Sequence, residues 1–273
     1  MNDLNQLFRL DNRVAIVTGS GRGIGKSIAL NFAQVGAHVV VAEIDQSTGE
    51  STAEKIRASG GKSLPVIVDL ADSQQVKKLV DTTVKEFGRV DILVNNAAVV
   101  NAAPMAPIVN ITDENWDQYL RINLTSTFLC SREVARVMIN QKKGNIVNIS
   151  SASAFQPCPS IAPYGVAKAG ITNLTLTLST ELARYNIRAN CIIPSAVDTG
   201  RTNPVFGTPE ERAKKINIPL GRLAKTEDIA YAAIYLASDA SDYVTGACIE
   251  VIGGPISKRQ GDYELFLSQF PEL

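Results

Sequence analysis

Tyr164 and Lys168 stand four residues apart in the stretch SSASAFQPCPSIAPYGVAK, residues 150–168, of a 273-residue chain that contains a single histidine, His38. On a helix that spacing puts both side chains on one face, one turn apart. A free phenol titrates near ~10, too high for a base at neutral pH. A nearby ammonium favours the phenolate, so Lys168 is expected to lower the pKa of Tyr164 and make it a proton carrier. Upstream lie Ser150, Ser151 and Ser153. A serine hydroxyl there can hold a substrate oxygen while charge develops on it. Period 2 in a strand puts Ser150 and Ser151 on opposite faces, but spacing does not choose among the three. With no second histidine, a Ser-His-Asp hydrolase triad cannot be assembled.

Such side chains need elements to position them. Apolar, β-branched runs predict strands over Val14–Val17, Val39–Ala42, Leu64–Val68, Ile92–Val94, Ile146–Ile149, Ala189–Ile193 and Cys248–Ile252. Helical patterns fall between them, over Lys26–Gln34, Ser47–Ala58, Ser73–Phe87, Asp113–Ile139, Tyr164–Tyr185 and Glu227–Ala237. Strands apolar on both faces, alternating with helices, predict an α/β fold: a doubly wound, Rossmann-type parallel sheet of about seven strands, helices on both faces. No composition shift or linker marks a boundary, so residues 1–273 read as one dinucleotide-binding and catalytic domain. Two stretches break the rhythm, Ala98–Ile111 and Ser195–Ile218; both follow strands and belong at the carboxyl edge, where such sheets bind ligands. Thr208–Glu211 reads as a capped helix start within the second. The tail, Pro255–Leu273, is regular only over Tyr263–Phe270.

The first strand runs into Thr18-Gly19-Ser20-Gly21-Arg22-Gly23-Ile24-Gly25, and a helix follows. Glycines let the turn tighten and approach a bound group, and the helix N-terminus offers N–H groups and a positive dipole end to a pyrophosphate. The second strand ends at Glu43, about 20 residues on, where a carboxylate accepts from the adenosine ribose and repels the extra phosphate of NADP. Arg22 argues the other way; the position of Glu43 outweighs it, so NAD is expected over NADP. Asp45 reads as a helix cap instead.

Composition narrows the partners. Lys plus Arg and Asp plus Glu are both 27, which gives no basic stripe for nucleic acid. Cys130, Cys158, Cys191 and Cys248 are scattered with no C-x-x-C pair and no histidine cluster, so no metal site is expected and the thiols read as free. Charges interrupt the first 20 residues and no apolar run is long enough to span a bilayer. The expectation is a cytoplasmic protein with no membrane or nucleic-acid partner.

Together, Thr18–Gly25, Asn95-Asn96-Ala97-Ala98, Asn123, Ser151 and Tyr164-x-x-x-Lys168 resemble the short-chain dehydrogenase/reductase family, in its compact single-domain form, from about Leu10 to Gly254. The resemblance selects Ser151 among the serines and implies catalytic roles for Ser151, Tyr164, Lys168 and Asn123, the last through a water that links Lys168 to solvent. It implies dinucleotide contacts by Gly19, Arg22, Gly23, Ile24 and Gly25, by Glu43, and by Asp69 and Leu70 at the adenine. Asn96 and Ala97 join them, with Pro194, Val197 and Thr199 at the carboxamide and Tyr164 and Lys168 at the nicotinamide end. Asn95 matches the residue that braces the sheet. Ala98, Ser195 and Ile252 depart from the family's usual Gly, Gly and Asp, which bears on cofactor placement and leaves the proton-transfer residues untouched. A homotetramer built through the Asp113–Ile139 and Tyr164–Tyr185 helix faces is also implied.

The implied activity is hydride transfer between NAD(H) and a secondary alcohol or ketone. Ser151, Phe155 and Tyr164 are the expected substrate contacts. Cys158 and Ile161 make the lining apolar, which suits a hydrophobic or cyclic skeleton; Asn101, Gln156, Asn203 and Asn217 keep a sugar or polyol in view. A non-catalytic dinucleotide sensor or scaffold predicts loss of Ser151, Tyr164 or Lys168, and all three are present. An enoyl-thioester reductase spaces its tyrosine and lysine more widely.

Overall fold

The run Val14–Thr18 is buried along all five residues and Gly144–Ile149 along all six, as strands covered on both faces must be. In the computed structural model, which describes residues 4–100, 105–200, 208, 209, 211 and 218–254, they belong to a seven-stranded parallel sheet. Its strands are β1 (Val14–Thr18), β2 (His38–Glu43), β3 (Ser63–Ile67), β4 (Ile92–Asn95), β5 (Gly144–Ile149), β6 (Ile187–Pro194) and β9 (Cys248–Val251). A separate parallel pair joins β7 (Val197–Asp198) to β8 (Ala224–Lys225). The large sheet runs β3-β2-β1-β4-β5-β6-β9. Strand order reverses between β1 and β4, which opens a crevice at their carboxyl ends.

Helices α2 (Gly23–Gln34), α3 (Gln46–Ala58) and α8 (Thr226–Ala237) cover one face, with Phe32, Ile56 and Ile229 packed on Val17, Val41 and Val94. Helices α4 (Ser73–Phe87), α6 (Ser126–Gln141) and the end of α7 (Ala162–Leu182) cover the other, with Leu79, Met138 and Leu182 packed on Val40, Leu93 and Ile146. A short α1 (Leu4–Leu7) precedes the sheet. Asp45 caps α3 by accepting from the Thr48 N–H at 2.9 Å, as its position after the strand predicts. His38 opens β2 at the amino edge, its ring 5.6 Å from that of Phe87, away from the crevice.

The stretch read as one helix over Asp113–Ile139 is divided. After α5 (Asp113–Leu120), Arg121–Thr125 forms one wide π turn, and α6 continues from it. The Ser126 N–H donates to the Arg121 carbonyl, five residues back. Single π turns inside α-helices mark functional sites, and this one holds Asn123. The β7–β8 pair lies partly in what reads as loop. Thr208 and Glu211 exchange bonds as a capping box, Thr208 N–H to Glu211 Oε2 at 2.8 Å and Glu211 N–H to Thr208 Oγ1 at 3.2 Å. The rest of that segment, residues 201–207, 210 and 212–217, lies outside the described residues, as do 101–104 and the tail 255–273. The polar candidates Asn101, Asn203 and Asn217 go with them.

Candidate active site

The turn between β1 and α2 is held from three sides. Gly19 has φ +61° and donates to the Ala42 carbonyl at 2.8 Å; an added Cβ there would lie 2.8 Å from Ala97 Cα. Asn96 Nδ2 donates to the Thr18 and Gly19 carbonyls at 2.9 and 3.1 Å. From below, the buried Glu43 accepts the Gly21 N–H on Oε2 at 2.8 Å and the Ile44 N–H on Oε1 at 2.9 Å. Helix α2 then begins at Gly23 with no side-chain cap from Arg22, so its first N–H groups face the crevice as an anion site.

Above the carboxyl ends lies a cleft of about 1350 Å³, more than the usual 300–1,000 Å³ of a small-molecule pocket. Gly19, Arg22, Ile24, Glu43, Asp69, Leu70, Asn96, Ala97, Pro194, Val197 and Thr199 line it, with Ser151, Tyr164 and Lys168 at its far end. The glycine turn, a helix N-terminus and a carboxylate at the end of the adjacent strand β2 fit a dinucleotide. Gly23 and Gly25 do not line it. Gly25 is a packing position, where helix meets turn: a Cβ there would strike the Gly19 carbonyl and Asn96 Nδ2.

At the far end, Ser151 ends its strand and caps the following turn by accepting the Ser153 N–H at 3.1 Å, and its hydroxyl is in hydrogen-bonding contact with Tyr164. Ser150 points into the core, its hydroxyl donating to the Lys168 carbonyl at 2.8 Å. Both serines border the cleft, and it is the Ser151 hydroxyl that meets Tyr164. Pro163 in the first turn of α7 starts the helix that carries Tyr164 and Lys168. Lys168 is 2% exposed; its Nζ donates to the Ile149 carbonyl at 2.9 Å and lies 5.6 Å from the Tyr164 ring centre.

The expected lowering of the Tyr164 pKa is not what these protein groups produce. Burial pushes the phenol up to about 12, opposed by the Ser151 hydrogen bond, and Cys158 nearby adds to the rise. Burial also pulls Lys168 down to about 8, opposed by Cys191. Both groups have lost water, and desolvation of each charged form outweighs their mutual attraction. Tyr164 is therefore a neutral phenol at neutral pH, an acid ready to donate.

The Lys168 value has a consequence for stability. Its folded pKa of about 8 lies below the ordinary 10.5, so between these values the unfolded chain binds the extra proton and stability rises with pH. The whole gap corresponds to roughly 3 kcal/mol. Urea unfolding from about pH 7.5 to about 9.5 should show wild type gaining on Lys168→Met; parallel profiles would show that the ammonium is not desolvated.

Asn123, fully buried in the π turn, has its side chain committed: Oδ1 accepts the Val99 N–H at 2.9 Å, and Nδ2 donates to the Val99 and Tyr119 carbonyls at 3.1 and 3.0 Å. It ties the loop after β4 to the long helix, and its side-chain hydrogen bonds go to that loop and to Tyr119, with none to Lys168. Phe155 departs from expectation: it ends a short 3-10 turn, is 62% exposed and does not line the cleft. Ile161 does. Asn95 braces the sheet as expected, donating to Asn148 Oδ1 at 2.8 Å and to Ser131 Oγ at 2.9 Å; Asn148 in turn donates to Thr175 on α7 at 2.8 Å.

Sequence reasoning missed Thr18, whose Oγ1 accepts the Asn96 and Ala97 N–H groups at 2.9 and 3.1 Å. It missed Tyr119, whose hydroxyl donates to the Val100 carbonyl at 2.7 Å, and the lining residue Arg121; Val99, Val100 and Met105 line the cleft from within the Ala98–Ile111 stretch expected at the carboxyl edge. Tyr119 stands one helical turn before Asn123, a spacing visible in the chain.

Comparison with known proteins agrees with this geometry. The family model described as Enoyl-(Acyl carrier protein) reductase matches residues 19–255. The chain is 40% identical to the short chain dehydrogenase/reductase astE of Aspergillus oryzae over 93% of this chain and 98% of that one. It is similar to a 7 alpha-hydroxysteroid dehydrogenase solved with NADH and 7-oxo glycochenodeoxycholic acid, with TM-score 0.87 and 33% identity over 95% of this chain and all of that one. It is equally similar to a gluconate 5-dehydrogenase from Burkholderia cenocepacia solved with NADP and tartrate, with TM-score 0.86 and 34% identity over 92% and 98%. With the glycine turn, the seven-stranded sheet and these relatives in agreement, the chain belongs to the short-chain dehydrogenase/reductase family of oxidoreductases.

Proposed function

We propose that this protein is an NAD-dependent dehydrogenase that interconverts a secondary alcohol and its ketone on a hydrophobic or cyclic skeleton, and that residues 1–273 act as one catalytic domain. The observation that carries this reading is the meeting of Ser151, Tyr164 and Lys168 at one end of a cleft whose other end holds Glu43. Glu43 would hold the adenosine ribose, Asp69 the adenine, Val197 and Thr199 the carboxamide, and Lys168 the nicotinamide ribose. When bound, the nicotinamide supplies or accepts the hydride, and its oxidised ring adds a positive charge that favours the phenolate.

The chain's own residues do the rest. In ketone reduction the Ser151 and Tyr164 hydroxyls hold the substrate oxygen, and the neutral Tyr164 gives its proton as negative charge develops there. In oxidation the same oxygen must first be the phenolate, which positive charge beside it favours, and as such it takes the alcohol proton. Lys168, fixed on the Ile149 carbonyl, holds positive charge near the phenol. Val99, Val100, Met105 and Ile161 supply an apolar wall, which supports the hydrophobic substrate. A sugar or polyol is the second reading, favoured by the similarity to a gluconate 5-dehydrogenase. Exposed Phe128, Val166 and Leu176 on α6 and α7 support carrying over the homotetramer.

The test is the absorbance of the reduced nicotinamide band, with NAD and NADP, across cyclic alcohols, aliphatic alcohols and sugar acids. NAD with a cyclic or hydrophobic alcohol is the expected best pair. Faster turnover of sugar acids moves the protein to the second reading, and no turnover on any substrate favours the non-catalytic dinucleotide binder. Glu43→Gln keeps an acceptor for Gly21 and removes the charge. It should lower the NAD-over-NADP ratio of kcat/KM by about tenfold or more, as loss of roughly 1.4 kcal/mol of discrimination requires. An unchanged ratio would show that Glu43 does not choose the cofactor.

A further inference from the structure

Cys191 and Cys248 fall opposite each other in the register of β6 and β9. Register partners on neighbouring parallel strands share a face of the sheet, with backbones roughly 4.8 Å apart. That spacing lies inside the Cα window of about 4.4–6.8 Å that a disulfide requires. The two side chains pack in one small cluster with Ala152, Ile193 and Ile252, and among the described residues β9 is the edge strand beside β6.

Their exposures differ. Cys191 is fully buried and Cys248 half-buried. The Cys191 thiol donates to the Ile192 carbonyl at 3.6 Å, and its sulfur lies close enough to Cys248 to favour the thiolate on the more exposed Cys248 and lower its pKa. The neighbouring Cys248, and then burial, hold the proton on Cys191, with Lys168 near enough to oppose this. The arrangement gives one reachable, thiolate-prone sulfur and one sheltered sulfur behind it, as paired redox cysteines require. Cys130 belongs to the core on the other face, its thiol pushed up to about 12 by burial. Cys158 donates to the Ser153 carbonyl at 3.4 Å.

We propose that Cys191 and Cys248 form an oxidation site that a peroxide converts to a disulfide, with Cys248 attacking and Cys191 resolving. The Cys248 thiolate attacks one oxygen of hydrogen peroxide. The O–O bond breaks, Cys248 becomes a sulfenic acid, and the departing hydroxide takes the proton that Cys248 gave up and leaves as water. The Cys191 sulfur then attacks the Cys248 sulfur; the S–S bond forms, the S–O bond breaks, and hydroxide leaves with the Cys191 proton as a second water. Two thiols are oxidised by two electrons and one peroxide is reduced to two waters. The bridge closes the chain between β6 and β9, so the segment carrying Val197 and Thr199 is tied at both ends.

The experiment treats the full-length protein with hydrogen peroxide, then denatures and alkylates it. The expected result is loss of two of the four alkylatable thiols, a mass lower by two hydrogens, and one cross-linked peptide joining Cys191 to Cys248. Dithiothreitol should restore all four. In Cys191→Ser, dimedone should trap Cys248 as the sulfenic acid; in Cys248→Ser, Cys191 should stay reduced. A Cys130→Ser, Cys158→Ser protein should keep the bridge and its reversal. Four thiols surviving peroxide would overturn the proposal. So would a bridge mapping to Cys130 or Cys158, or sulfinic acid at Cys248 with Cys191 still free. The readout is mass, so it stands or falls apart from the oxidoreductase activity.

Discussion

Tyr164→Phe binds the dinucleotide as wild type does and turns over at least about 10³-fold more slowly, in the range that positioned acids and bases contribute. The phenyl ring stays in its buried place beside Lys168; only the hydroxyl goes. Among the described residues at the nicotinamide end of the cleft, none is placed to take over its proton. Ser151 carries a hydroxyl with a far higher pKa, Lys168 is fixed on the Ile149 carbonyl, and His38 lies at the opposite edge. Because the phenol is held neutral by burial, its removal should hit ketone reduction at neutral pH as hard as alcohol oxidation. Steady-state rates in both directions, with calorimetric titration of the dinucleotide, check this. Turnover within tenfold of wild type would remove Tyr164 from the proton path, and loss of dinucleotide binding would mean that the variant acts on structure.

Gly25→Ala loses dinucleotide affinity by about 100-fold and costs about 3 kcal/mol of stability, at the upper end for overpacking a core. The added methyl group meets backbone: the Gly19 carbonyl, whose carbon would lie 2.9 Å away, together with Asn96 Nδ2. Backbone in a turn cannot rotate aside, so α2 must back away from β1 and take its N-terminus out of the crevice. Gly21→Ala makes a useful contrast. Its methyl group meets the side chains of Thr48 and Glu43, with Thr48 Cβ at 2.8 Å; two side chains and the first turn of α3 give way more readily than the backbone of the turn, so its stability loss should be smaller. Chemical unfolding and dinucleotide titration of the two variants decide the matter; equal losses would show that the helix packing at Gly25 is not special.

The sheet was legible because its strands are largely apolar on both faces and helices such as α4 show a one-sided pattern; α7 does not, since it buries Ile171 and Leu182 while exposing Val166 and Leu176. β3 is one residue earlier than its apolar run suggests and pairs from Ser63 to Ile67, since pairing with β2 sets its limits. The π turn was hidden: one extra residue in a long apolar periodicity looks like scatter. The glycine turn, Tyr164 and Lys168 stood out by spacing, and Ser151 only through the family resemblance. Phe155 did not follow, because side-chain direction after a short turn depends on a backbone that spacing does not encode. The Tyr164 pKa ran opposite to expectation for a similar reason. Charge proximity is visible in a sequence; loss of water is a property of the folded surroundings. Glu43 was read as a ligand for ribose, and its second task, propping the Gly21 N–H, needed the tertiary contact.

The wide turn at Arg121–Thr125 makes the long helix out of phase with itself. Each residue of an ordinary helix advances the side chain by about 100°, so one supernumerary residue offsets every position downstream by that angle. Tyr119 and Asn123 can then aim at the backbone beside the ligand cleft, while Leu129, Val134 and Met138 meet the sheet, with no compromise between the two orientations. Excising any single residue from this stretch would restore an unbroken spiral, and one of the two faces would be left misdirected.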